Sequence, residues 1–149
     1  MSAVRLEHDI WVLVADGEKA LFLRNEGDAE YPHLEVFREI HEDNPATHDQ
    51  GTDRPGRLHD GTQAHRSAVQ ETDWHRIEKA RFAKELSDRL YKMAHRHSFK
   101  KIVLVAPPVV LGELRKDLHK EVADKVTAEV PKTLTNHTVD EMEKILMAS

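Results

Sequence analysis

Two short runs of the chain are apolar almost without interruption: Ile10 to Ala15 (IWVLVA), and Lys101 to Ala106 (KIVLVA) after its first residue. Neither alternates with polar positions, which predicts strands covered on both faces of a sheet. Asp16-Gly17 follows the first run and supplies a tight hairpin turn, because glycine accepts positive φ without a Cβ clash. Ala20 to Arg24 (ALFLR) is then the returning strand. Leu34, Val36 and Ile40 alternate with Glu35, Phe37, Glu39 and His41, which predicts a third strand with one polar-leaning face.

From Asp43 to Asp73 the pattern vanishes into Gly, Pro, Asp, Thr and His with almost no large apolar residue. A loop this long exceeds the usual limit of about 12–15 residues, so a functional or a disordered segment is expected. With Thr72 or Asp73 as N-cap, the residues Trp74, Ile77, Phe82, Leu86, Leu90 and Met93 then recur at helical spacing to about His97. Pro107-Pro108 stops the second apolar strand, and Leu111, Leu114, Leu118 and Val122 form the buried stripe of a following helix. Val126 to Val130 reads as a last strand ended by Pro131. Thr138 and Glu141 make a capping box for a terminal helix carrying Val139, Met142, Ile145 and Leu146. The order β-β-β-α-β-α-β-α predicts an α/β fold. Its mixed five-stranded sheet has the first and fourth strands central and parallel, with helices on both faces.

Length and composition narrow the picture. At 149 residues the chain is expected to be one domain over 1–149, with the long loop at about 43–73. It has no cysteine, which excludes disulfides and thiolate metal sites and points to the cytosol. The start lacks the basic region and long apolar stretch of a signal peptide, and no segment reaches the roughly 20 apolar residues of a membrane span. A net charge of −5 offers no global attraction to polyanions, although a local patch remains compatible with it. The 11 histidines make the surface pH-sensitive near pH 6.

Several motifs in order resemble one known family. Trp11-Val12-Leu13-Val14-Ala15-Asp16-Gly17, Arg54-Pro55-Gly56-Arg57, Arg81-Phe82-Ala83, Leu104-Val105-Ala106-Pro107-Pro108, Leu111-Gly112-Glu113-Leu114-Arg115 and Lys132-Thr133-Leu134-Thr135 look like those of the bacterial host-attachment proteins. The resemblance implies a ribonuclease H-like fold, related to the middle domain of archaeal and eukaryotic peptide-chain release factors and of Pelota. It implies no reaction, because fold does not fix function.

The chemistry of the candidate residues leaves three functions open. A ribonuclease H-type nuclease needs carboxylates converging on two metal ions, and KIVLVA contains none, so nuclease activity is not expected. The release-factor middle domain carries a Gly-Gly-Gln tip in its long loop. Here Gly61-Thr62-Gln63 occupies the corresponding place, with β-branched Thr62 replacing the second glycine, and an incidental match in a polar loop is the simpler reading. Arg54 and Arg57, held by Pro55, can form a fork for phosphate or carboxylate, or merely anchor a turn. Arg115 lies one turn into the helix after a central strand, where α/β sheets often bind ligands. His48, His59 and His65 are candidate metal ligands without the spacing of a compact zinc motif, and solvated loop histidines are the plainer account. The leading expectation is a non-enzymatic cytoplasmic protein of the host-attachment family it resembles, acting through a protein or RNA partner, with no cofactor. The alternatives are a ribosome- or tRNA-associated release-factor-like domain and a metal-dependent hydrolase using the loop histidines.

Overall fold

The computed structural model describes residues 4–41 and 61–149, with the backbone alone for 61–76. Its strands are β1 (Trp11–Ala15), β2 (Lys19–Asn25), β3 (Leu34–His41), β4 (Ile102–Val105) and β5 (Val126–Val130). They form one sheet in the order β3-β2-β1-β4-β5. β1 pairs antiparallel with β2 and parallel with β4, in the register Trp11 to Ile102 and Val14 to Val105. The two uninterrupted apolar runs are therefore the two central neighbours, as their composition predicts.

Being buried on both faces is what makes those strands apolar throughout. Trp11, Leu13 and Ala15 point into one hydrophobic layer with Ile102 and Leu104. Val12 and Val14 point into the other with Val103 and Val105. The first layer is closed by three helices: α1 (Gly61–His95), α2 (Pro108–Asp117) and the four-residue α3 (Lys120–Ala123). The second is closed by α4 (Val139–Ala148) through Met142 and Leu146. Helices thus cover both faces. Fully buried side chains of the size of Phe22, Phe82 and Leu86 each contribute about 2–3 kcal/mol of transfer free energy.

The structure departs from the sequence pattern in three places. α1 begins at Gly61 and runs 35 residues, so Gly61 to Asp73 is helix rather than loop, and Thr72 and Asp73 lie inside it rather than at its cap. The segment from Thr62 to Asp73 contains neither Gly nor Pro. It has the propensity for a helix but not the apolar stripe by which a helix is recognised. Second, the stripe from Leu111 to Val122 belongs to two helices. α2 ends at Asp117, Leu118 is extended with φ −66° and ψ 133°, and α3 restarts after His119. Third, β3 does not keep one alternating face. A bulge opposite Phe22 and Leu23 leaves Phe37 without a partner in the register. Ile40 consequently packs on the α1 layer and Leu34 on the α4 layer. Phe37 meets Trp11 at 4.8 Å between ring centroids.

Candidate functional site

The parallel strands β1 and β4 end at one edge of the sheet, and three of the motif segments converge there. Asp16 opens the β1–β2 turn. Its backbone N–H donates to Lys19 O (2.9 Å), and its Oδ1 accepts from the N–H groups of Glu18 (2.7 Å) and Lys19 (2.8 Å). Oδ2 accepts from Thr135 Oγ1 (2.7 Å), which ties the loop after β5 to the turn. Burial alone pushes the Asp16 carboxyl up, but the hydrogen bonds from Thr135, Glu18 and Lys19 and the Lys19 charge together hold it below the ordinary carboxylate range. With both oxygens engaged, Asp16 ties the β1–β2 turn to the loop after β5.

The positive φ expected of Gly17 is not used, since none of the described glycines has one; the small size of Gly17 matters instead. A Cβ at Gly17 would sit 2.6 Å from Cγ of Lys79, whose aliphatic stem lies over the turn. Pro107, Pro108 and Val109 at the start of α2 complete a shallow cleft with Asp16, Gly17 and Lys79. Lys79 and Thr135 carry no sequence signal of a site. Thr135 stands in a motif segment, yet its bond to Asp16 spans 119 residues.

The same edge is where the chain departs toward most of the expected site residues. β3 ends at His41, paired with Lys19 beside the turn. The chain is next described at Gly61, the first residue of α1. Eighteen residues separate Gly61 from Lys79, or about 27 Å of helix at 1.5 Å per residue. Gly61, Gln63 and His65 therefore belong to the first two turns of α1, far along the helix from the sheet edge. Helical backbone is available to Thr62, so the freedom of a second glycine is not called on there. Arg54, Arg57, His48 and His59 lie outside the described residues.

Arg115 has a structural partner. Its Nε donates to Glu129 Oε1 at 3.0 Å, and Nη2 approaches the same oxygen, joining α2 to the edge strand β5. The hydrogen bond and the charge of Glu129 raise the guanidinium further above its ordinary range. Among the described residues no group of three or more His, Asp or Glu side chains is arranged to hold a metal. No described helix is long and apolar enough to cross a membrane.

No curated protein matches the chain. Residues 9–146, nearly the whole length and all five strands of the fold just described, match the family named bacterial archaeo-eukaryotic release factor family 12. The chain belongs to that family.

Proposed function

We propose that this chain is a stand-alone release-factor-like domain that binds the ribosome or a tRNA through the segment from His41 to Gln63. The observation that carries the reading is the release-factor family match across residues 9–146. The chain path supports it. The segment leaves the fold at one end of the sheet, after His41, and Gly61-Thr62-Gln63 stands at the start of a helix that continues about 27 Å before Lys79 reaches the same end. Arg54 and Arg57 precede it, with guanidiniums suited to bidentate phosphate contacts.

Binding rather than hydrolysis is the proposed role, because Thr62 stands where the release-factor tip has its second glycine. A cytoplasmic location follows from such a partner. An effect on attachment to host cells, implied by the motif resemblance, would be a downstream consequence of that binding.

Sedimentation with purified bacterial ribosomes tests the reading. The wild-type chain is expected to co-sediment, and Arg54→Ala with Arg57→Ala and Gln63→Ala to weaken binding about tenfold or more. Failure of the wild type to bind ribosomes or tRNA at low salt, or an unaffected triple variant, would sink it. Release of peptide from peptidyl-tRNA that disappears in Gln63→Ala would overturn the binding-only role.

A further inference from the structure

We propose that the outward face of α1 is a second, separate contact surface for the phosphate backbone of RNA. The inference rests on the ribosome- or tRNA-binding reading and adds a surface that reading does not use. It begins from charge placement. Residues 79–101 hold eight Lys and Arg against two Asp and Glu, a local net charge of +6 in a chain whose total is −5. The acidic excess therefore resides entirely outside this segment. Bulk electrostatics disfavours a polyanion, and this segment reverses the sign: along the outward face of α1 and just past its end, Arg81, Lys84, Arg89, Lys92 and Arg96 stand against Glu85 and Asp88, a net charge of +3.

The fold turns the charge toward solvent. α1 buries Phe82, Ala83, Leu86, Leu90, Met93 and Ala94 against the sheet. Arg81, Lys84, Asp88 and Lys92, at spacings of three and four, lie on the opposite side of the helix and are exposed. Arg89, Arg96 and Lys100 are exposed beside and beyond them. From Arg81 to Arg96 the row extends about 22 Å, long enough to meet several successive phosphates of a strand.

Most of these cations are also uncommitted. Arg81 has Glu78 at 4.0 Å. Among the described residues, no carboxylate forms an ion pair with Lys84, Arg89, Lys92, Arg96 or Lys100. The exposed bases elsewhere include several that are paired, such as Arg24 with Glu26, Arg115 with Glu129 and Lys120 with Asp124. A row of unpaired cations raises self-repulsion within the fold, and a phosphate backbone relieves it while releasing counterions. Lysine and arginine without interleaved exposed aromatics suit phosphates rather than unstacked bases, so the contact is expected to be independent of sequence.

The test uses the full-length protein, labelled tRNA and purified ribosomes, with salt varied between about 50 and 200 mM. Lys84→Ala with Lys92→Ala and Arg96→Ala removes three exposed cations and leaves the core untouched. It is expected to weaken binding about tenfold or more, and to flatten the slope of log affinity against log salt by about 2. Glu85→Ala with Asp88→Ala is expected to tighten binding. Unchanged affinity and slope in the triple variant overturn the surface while leaving the His41–Gln63 reading intact, whereas a wild type that captures no RNA overturns both. Equally tight binding of polyglutamate, lost in the same variant, assigns the face to an acidic protein and overturns the RNA assignment.

Discussion

The backbone N–H of Leu34 donates to Glu143 Oε2 at 2.7 Å, so a side chain of α4 occupies a hydrogen-bonding position on the free edge of the sheet. Leu34 stands opposite Asn25, whose own N–H is spent on Ile10 O, on the β1 side. By the alternation of an antiparallel ladder, the Leu34 N–H points away from the sheet. β3 is eight residues long, with Val36 and Phe37 exposed, which makes it a template for unwanted strand pairing. The Glu143 carboxylate and the bulge at Phe37 both blunt it.

Glu143→Ala is therefore expected to act in two ways. Loss of a charge-assisted bond to a backbone donor costs about 1–2 kcal/mol in urea unfolding. The freed edge should also raise concentration-dependent association, read by light scattering. Glu143→Gln, which keeps an acceptor, should restore most of both. A Glu143→Ala protein as monodisperse and stable as the wild type would show that the bulge alone protects the edge.

Asn25 is a buried polar residue with its hydrogen-bonding capacity filled. Its Nδ2 donates to Leu6 O (2.7 Å) and Glu7 O (3.0 Å), and its Oδ1 accepts from the N–H groups of Gly27 (2.9 Å) and His33 (2.8 Å). One side chain thereby pins the segment before β1 and the β2–β3 connection. Asn25→Leu keeps the heavy-atom count but leaves the N–H groups of Gly27 and His33 and the Leu6 carbonyl without their partner, so about 3 kcal/mol or more of stability should be lost. A loss below about 1 kcal/mol in denaturant titration would mean that water replaces the side chain.

Acid should loosen the candidate edge through Asp16. Its folded carboxyl titrates below the ordinary range, so the stabilisation is fully present above the unfolded value of about 3.9 and disappears as pH falls through the lower folded value. Thr135→Val removes the donor to Oδ2 with little change of shape. It is expected to cost about 1 kcal/mol at pH 7, allowing for partial solvent screening, and progressively less below pH of about 4. A Thr135→Val penalty independent of pH would separate the threonine from the charge on Asp16.

How far the fold was readable depended on what each pattern encodes. IWVLVA and KIVLVA announced their position because burial on both faces leaves no room for polar residues, and Thr138 with Glu141 announced α4 because a capping box is local. Side-chain periodicity is blind to an amphipathicity-free helix, so the first turns of α1 read as loop. It is equally blind to a one-residue bulge, which put Leu34 and Ile40 on opposite faces. The candidate edge was half legible. Asp16, Gly17 and Thr135 lay in conspicuous segments, but the Asp16–Thr135 bond and the Lys79–Gly17 contact join residues far apart in the chain. Nothing local signals either.

The Gly17–Lys79 contact yields the sharpest test of how α1 is seated on that edge. A Cβ at Gly17 would lie 2.6, 3.0 and 3.2 Å from Cγ, Cε and Cδ of Lys79, and the three nearest atoms all belong to this one flexible stem. Gly17 has no positive φ, so Gly17→Ala carries no penalty of that kind, and its cost is that of forcing Lys79 off its rotamer, about 1 kcal/mol. Lys79→Ala removes the obstacle. In that background Gly17→Ala is expected to be neutral or slightly stabilising, because alanine also restricts the unfolded chain. A double-mutant cycle in urea unfolding should return a coupling of about 1 kcal/mol or more. Equal Gly17→Ala penalties in both backgrounds would mean that the turn itself demands glycine and that the lysine stem merely rests there.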